Sequence, residues 1–305
     1  MRNKIVVIGS LNYDTFVQLP HFPKPGENVL ADGVAFGCGG KGANQAVQAA
    51  KLGVDAYMVG CVGNDQYGDA LIESAQKYGL NTDHIRRVDA PTGMGFVNVI
   101  EDGSVFAGIL KGANFEVTKE DVDQAEALLM QASTVILQME IPQDVNEYAI
   151  EKAKECGAKV IMNAAPAAPI SEKALKSLDI LVVNEVEAGF YLGKDITDSE
   201  LAKAGAKELK ERYGCDVIIT LGKLGSVVND QNEINFIPSK KVKAVETTGA
   251  GDSFIGGVGY ALLQGMSLTA ACEFATCCSA ITVCGVGAQN SMPTFNQVKK
   301  FIENN

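Results

Sequence analysis

Ile5-Val6-Val7-Ile8-Gly9-Ser10-Leu11-Asn12-Tyr13-Asp14 begins with four consecutive apolar residues and then turns small and polar. A short apolar run with no period-two alternation reads as a strand buried on both faces. The pattern recurs at 57–59, 135–137, 160–162, 180–183 and 217–219. Between most of these runs lie segments with helical periodicity, among them 121–130, 145–156 and 201–213, which supply helices to both faces of a sheet. The expected fold is α/β, a doubly wound, mostly parallel sheet flanked by helices.

In open parallel sheets ligands sit beyond the carboxyl ends of the strands. Polar residues follow the apolar runs repeatedly: Asn12 and Asp14 after the first, Gln138 and Glu140 after 135–137, Asn163 after 160–162, Asn184 and Glu187 after 180–183, Thr220 and Gly222 after 217–219. Any one of them would serve as a helix cap or loop residue. Five sets at equivalent strand ends point to a ligand site.

The 305 residues are 47% apolar and 21% charged, an ordinary composition for one large domain or two smaller ones. We read one domain over 1–305 with insertions at 14–37 and 93–110. Both insertions alternate polar and apolar residues, as in Phe96-Val97-Asn98-Val99, and carry turn formers, Pro23-Lys24-Pro25-Gly26-Glu27 and Glu101-Asp102-Gly103. They are expected to build a small β-sheet lid. A net charge of −11 and no basic stretch longer than Lys240-Lys241 argue against nucleic acid as a partner. Eight cysteines without CxxC spacing, and no basic-then-apolar leader, suggest a reduced, cytoplasmic protein. His21 and His84 stand in no motif, so triads with a histidine base and multi-histidine zinc sites fit poorly. Residues 254–288 hold only Glu273 as a charge, but Gln264-Gly265 splits the stretch and its small residues suit two buried helices rather than a membrane span.

Two glycine-rich loops carry the chemistry. Phe36-Gly37-Cys38-Gly39-Gly40-Lys41-Gly42-Ala43-Asn44-Gln45-Ala46 leads into a helix expected over 43–52, with Lys41 and Asn44 as donors to hydroxyls or phosphate oxygens. Gly37, Gly39 and Gly42 formally fit a dinucleotide fingerprint, but 31–36 is not a buried strand, which weakens an oxidoreductase reading. Gly42 stands where a Walker A motif needs Ser or Thr. Thr247-Thr248-Gly249-Ala250-Gly251-Asp252-Ser253-Phe254 precedes the apolar helix 255–263. Successive free amides of Gly249, Ala250 and Gly251 at a helix N-terminus are expected to form an anion site. Beside it, Asp252 reads as a general base for a hydroxyl attacking phosphorus rather than as a simple cap.

Residues 39–46, the Pro-x-Pro-Gly-Glu turn, 184–187 and 247–252 together resemble the ribokinase-type carbohydrate kinases, over residues 9–293. The resemblance implies a Mg²⁺-dependent enzyme that spends ATP to phosphorylate the primary hydroxyl of D-ribose, with deoxyribose, another sugar or a nucleoside as alternatives and a non-catalytic sugar-binding protein as a remote one. By position it makes Asp252 the base, with the anion hole at Gly249, Ala250 and Gly251. Asn12, Asp14, Gly40, Lys41, Asn44 and Glu140 become sugar contacts, and Thr220, Gly222, Lys223, Gly225, Asn184 and Gly251 nucleotide contacts. Asn184 and Glu187 are implied to meet Mg²⁺ through water. A monovalent cation, K⁺, is implied at Glu246, Thr248, Thr282, Gly285, Gly287 and Ser291, with Glu246 replacing the family's usual Asp. Pairing of the lids into a homodimer is also implied.

Overall fold

A computed structural model describes residues 2–100, 105–231 and 233–304. Its strands are β1 (Lys4–Ile8), β2 (Asn12–Leu19), β3 (Gly33–Gly39), β4 (Asp55–Gly63), β5 (Asn81–Val88), β6 (Met94–Ile100), β7 (Val105–Leu110), β8 (Ala132–Gln138), β9 (Lys159–Asn163), β10 (Ile180–Asn184), β11 (Asp216–Thr220), β12 (Gly225–Asp230) and β13 (Glu233–Pro238). Its α-helices are α1 (Lys41–Lys51), α2 (Gln66–Lys77), α3 (Lys119–Gln124), α4 (Glu126–Leu129), α5 (Gln143–Glu155), α6 (Glu172–Lys176), α7 (Glu185–Leu192), α8 (Ser199–Tyr213), α9 (Ala250–Leu263), α10 (Leu268–Thr282), α11 (Ala288–Ser291) and α12 (Phe295–Glu303).

The main sheet runs β13-β12-β11-β10-β9-β8-β1-β4-β5. From β11 to β5 neighbouring strands are parallel, and β12 and β13 add an antiparallel edge. All six apolar runs lie in the parallel part. Alternate residues of β1 enter different cores: Ile5 and Val7 join Ala46 of α1, Val258 of α9 and Cys272 of α10, whereas Val6 and Ile8 join Leu128 of α4, Ile150 of α5 and Leu209 of α8. Burial on both sides explains why these runs do not alternate in hydrophobicity. The chain builds β4 and β5 on one side of β1 and β8 to β11 on the other, so a topological switch point lies between β1 and β8.

A second sheet, β3-β2-β6-β7, gathers both insertions. Around the Pro23-to-Glu27 turn, the Glu27 N–H donates to the Lys24 carbonyl and the Lys24 N–H to the Glu27 carboxylate. The other expected turn, at Glu101-Asp102-Gly103, lies outside the described residues.

Three features differ from the sequence reading. The single helix expected over 121–130 is two, α3 and α4, because the chain tightens at Ala125, whose N–H donates to the Val122 carbonyl. Helix α1 begins at Lys41, two positions early, after Gly40 takes φ 86°. The β12–β13 hairpin had no counterpart in that reading. Two helices, α9 and α10, occupy most of 254–288 as expected, and among the described residues no helix is long and apolar enough to cross a membrane.

Candidate active site

Two glycines seat the start of α1 directly on the loop after β1. A Cβ on Gly42 would lie 2.6 Å from the Ser10 nitrogen, and one on Gly40 2.7 Å from the Asn12 nitrogen. The Ala43 N–H donates to the Ser10 carbonyl at 2.9 Å. At the switch point, Ser10 Oγ donates to Glu140 Oε2 at 2.5 Å and the Lys41 N–H donates to the same oxygen at 3.2 Å. The loops after β1 and β8 are thereby joined at the N-terminus of α1. Burial of the Lys41 ammonium opposes its charge, but Asp252, Glu140, Glu187 and Asp14 outweigh that penalty and raise its pKa.

Asp14 leaves the main sheet on β2 and accepts the Gly95 N–H at 2.9 Å. Burial, with Glu140 and Asp252 as like-charged neighbours, pushes its pKa up to about 6; the Gly95 bond and Lys41 pull the other way. Asn12 is buried, and its Oδ1 accepts from Asn114 Nδ2 at 2.7 Å. Asn114 Oδ1 in turn accepts the Leu11 N–H at 2.8 Å. The far end of the Asn12 side chain is therefore its amide donor.

Gly249 caps α9 in a left-handed conformation, φ 78°. A Cβ there would meet the Ala288 Cβ at 2.7 Å, whereas one on Gly251 would meet nothing within 4 Å. The expectation of three successive free amides is corrected at Ala250: its N–H donates to the Thr247 carbonyl at 3.2 Å, closing the turn that Gly249 makes possible. No described residue accepts from the amides of Gly249 and Gly251. Asp252 does not cap the helix. Its Oδ2 accepts from Asn44 Nδ2 and its Oδ1 from Gln45 Nε2, each at 2.9 Å. Burial raises its pKa, while Lys41, Asn44 and Gln45 act against that rise.

Asn184 and Glu187 form a capping box on α7. Asn184 Oδ1 accepts the Glu187 N–H at 2.8 Å, and the Glu187 carboxylate accepts the Asn184 N–H at 2.8 Å and its Nδ2 at 3.0 Å. Burial raises the Glu187 pKa, opposed by the Asn184 bond and Lys41. Among the described residues no group of three His, Cys, Asp or Glu side chains could hold a metal by itself. Thr220 ends β11, and Gly222 and Lys223 lie in the 3₁₀ turn Gly222–Leu224. Gly225 has a packing reason of its own, since a Cβ there would lie 2.0 Å from the Ile237 carbonyl of the adjacent strand.

The segment around Glu246 meets 283–291. Glu246 Oε2 accepts the Gly287 N–H at 2.9 Å, and the N–H groups of Val245 and Glu246 donate to the Val283 carbonyl. Ser291 Oγ donates to the Val286 carbonyl at 3.0 Å. The Thr282 hydroxyl instead turns inward to Cys278 O and Ser253 Oγ, so Thr282 offers this loop its carbonyl alone. A cleft of about 950 Å³ runs between the second sheet and these loops, with Asp14, Glu246, Thr248 and Gly287 on its walls.

The fold thus gathers Asn12, Asp14, Lys41, Asn44, Glu140, Glu187 and Asp252 around one strand-end junction. Sequence reasoning gave no role to Ser10, Gln45, Asn114 or Gln289, and marked Gln138 only as one of the strand-end polar residues. Gln45 adjoins Asn44 in the glycine-rich loop and was within reach of that reading; the others come into place only through tertiary contacts.

Comparison with known proteins places the chain in a family. The profile of the pfkB family carbohydrate kinases matches residues 2–295. Ribokinase of Haemophilus influenzae is 36% identical over 304 residues, covering 99% of each chain. Deoxyribokinase of Salmonella typhi is 34% identical over 306 residues, again covering 99% of each. The structure of Arabidopsis thaliana ribokinase complexed with ribose and ATP superimposes with a TM-score of 0.90 at 31% identity, covering 99% of both chains. With a full-length match of this kind, the chain belongs to the pfkB family of carbohydrate kinases.

Proposed function

We propose that this chain transfers the γ-phosphoryl group of ATP to the primary hydroxyl of D-ribose. The observation that carries the reading is the Asp252 carboxylate, held on both oxygens by side-chain amides at the start of a helix whose Gly249 and Gly251 amides are open. Asp252 accepts the proton of the attacking hydroxyl, and the Gly249 and Gly251 amides, reinforced by the helix dipole, stabilise charge on the transferring group. Asn12, Asp14, Lys41, Asn44 and Glu140 hold the sugar hydroxyls. Gly40 contributes its backbone, because its lack of a side chain lets the two loops meet. The nucleotide lies along Asn184, Thr220, Gly222, Lys223 and Gly225. Closure of the second sheet over the sugar excludes water that would otherwise take the phosphoryl group.

Mg²⁺ neutralises charge on the β- and γ-phosphates when it is bound. Glu187 is the hard oxygen donor nearest that role, and its carboxylate already accepts twice from Asn184. Such a donor suits an ion that arrives on the nucleotide with its waters, not one caged by protein. The carbonyls of Thr248, Thr282, Gly285 and Gly287, the Ser291 hydroxyl and the Glu246 carboxylate would supply the oxygens for K⁺. Unpaired cysteines, six of the eight buried, suit a reducing cytoplasm. The outer face of the second sheet supports a homodimer that pairs through it. The strand register puts Val34, Phe36, Phe96 and Phe106 on the side opposite Asp14, all of them exposed.

The similarity to a deoxyribokinase makes 2-deoxyribose the second candidate substrate. An ADP-release assay over ribose, 2-deoxyribose, fructose and nucleosides tests the reading. Ribose is expected to give the highest kcat/KM; turnover of another acceptor with none of ribose overturns it.

A further inference from the structure

We propose that Gln138 and Gln289 are positioning residues for the carboxylate of Asp252, acting through the inner amides of Gln45 and Asn44. The proposal rests on the reading of Asp252 as the base. A primary amide is nearly symmetric in shape, and its partners decide which end is oxygen and which is nitrogen. Gln138 Nε2 donates to Gln45 Oε1 at 2.8 Å, so the other end of the Gln45 amide, facing Asp252 Oδ1 at 2.9 Å, is the donor. On the opposite side Gln289 Nε2 donates to Asn44 Oδ1 at 3.1 Å, which leaves Asn44 Nδ2 facing Asp252 Oδ2 at 2.9 Å. Two polarised amide chains, one from β8 and one from α11, therefore converge on one carboxylate.

All four amides are buried, Gln45 and Gln138 with no exposed surface at all. The Gln289 chain is anchored further out: its Oε1 accepts from Ser74 Oγ at 3.2 Å, and its carbonyl accepts from Lys51 Nζ at 2.8 Å. The Gln138 chain ends differently. Gln138 Oε1 is buried and has no hydrogen-bond partner. A buried orphan acceptor costs stability that an apolar side chain of the same length would not. Within this network the return on that cost is the orientation of Gln45. Without an outer amide, the inner one loses the donor at its oxygen. What then opposes its turning that oxygen toward the carboxylate is the carboxylate itself and, for Gln45, Asn163 Oδ1, which accepts from Gln45 Nε2 at 3.1 Å.

The charged groups acting on Asp252 are Lys41 on α1, Glu140 after β8, Asp14 on β2 and Glu187 on α7. Neither Gln138→Met nor Gln289→Met alters any of them. The test measures thermal stability, both KM values and kcat against pH at saturating substrates for full-length parent, Gln138→Met, Gln289→Met and Asp252→Asn. A donor lost from the carboxylate favours its protonated form, so the acidic limb of kcat is expected to move upward by about 0.5–1 pH unit in each Met variant. On that limb kcat falls ~3- to 10-fold, with the KM for ATP changed less than about 2-fold. Gln138→Met also removes the orphan Gln138 Oε1 while leaving Gln45 Oε1 without its donor, so its melting temperature is expected to stay close to the parent's. Met variants with the parental acidic limb, alongside an inactive Asp252→Asn, overturn the positioning role and leave the base in place. Parental turnover in Asp252→Asn overturns the base itself. Should one Met variant fail to fold, the other, on the opposite chain, decides.

Discussion

Asn44 on α1 donates its side-chain amide to Asp252 on α9 at 2.9 Å, closing a gap of 208 residues in the chain. This bond makes one site of the two glycine-rich loops. An amide committed to Asp252 through one N–H keeps a second, which in the proposed reading is offered to a sugar hydroxyl.

Replacing Asp252 with Asn is expected to lower turnover ~10²- to 10⁴-fold, the usual weight of a general base. The substitution also sets an NH₂ group against the donors of Asn44 or Gln45. Calorimetric titration should still detect ATP binding, since neither partner of Asp252 lies on the nucleotide loop. Turnover like the parent's would remove Asp252 from the mechanism.

Gly251 separates fold from function. Its backbone is not left-handed, and a Cβ there meets nothing within 4 Å, so Gly251→Ala should fold and melt at or slightly above the parental temperature through the better helix propensity of alanine. The new methyl group occupies space beside the anion hole, and turnover is expected to drop at least ~10-fold, within the range for impaired oxyanion stabilisation. Gly249→Ala should instead lose stability, because φ is 78° and the methyl group meets Ala288. Full activity in Gly251→Ala would argue that the phosphoryl group passes elsewhere.

Much of this was legible in the sequence because burial on both faces writes itself as unbroken apolar runs. Val135, Ile136 and Leu137 needed no structure to be read as a strand. The glycines were legible for a similar reason: close approach and positive φ leave few other residues possible. The β12–β13 hairpin was harder, since an antiparallel edge carries a weaker pattern than a doubly buried strand. The amide network was out of reach. Gln45 and Gln138 stand 93 residues apart and Asn44 and Gln289 stand 245 apart, and no local signal marks a glutamine as the orienting partner of another amide. The expectation of a free Ala250 amide failed because a left-handed Gly249 brings the Ala250 N–H back to the Thr247 carbonyl.

Asp14 carries a pH signature with a definite sign. Its folded pKa of about 6 lies above the ordinary value of 3.8, so between those limits the folded protein binds a proton more tightly than the unfolded chain. The ligand-free protein therefore loses stability from this group as pH rises from about 4 to 6, and the loss persists at pH 7. Asp14→Asn retains an acceptor for Gly95 and should melt higher than the parent at pH 7, with a flatter dependence below it. The same variant should lose ~10- to 100-fold in kcat/KM for ribose, the weight of hydrogen bonds to a charged group, with little change in the KM for ATP. A melting temperature that falls, or equal losses for both substrates, would make Asp14 a structural residue.

Phe36 and Phe106 lie on the same face of the second sheet and are 60% and 66% exposed. Light scattering at micromolar concentration is expected to give twice the chain mass, and Phe36→Glu with Phe106→Glu to halve it. A monomeric parent with full activity rules out pairing through this face.

Glu246 decides the cation question. Its Oε2 already accepts the Gly287 N–H at 2.9 Å, so the longer carboxylate reaches across the loop and ties it shut from within. That bond takes up the Gly287 N–H, and in the proposed site the carbonyls of Thr248, Thr282, Gly285 and Gly287 with the Ser291 oxygen would face a large monovalent ion. Because the loop adjoins Gly249, through the contact with Ala288, filling it should stiffen the anion hole and raise turnover rather than simply tighten ATP binding. The parent is expected to turn over faster in potassium than in a bulky organic cation at equal ionic strength. Glu246→Asp, one methylene shorter, releases Gly287 and lets the bound ion supply the order that the side chain now provides, so the ratio of the two rates should widen. If parent and variant both ignore the change of cation, the oxygen set around Glu246 binds no activating ion and the loop is held by its hydrogen bonds alone.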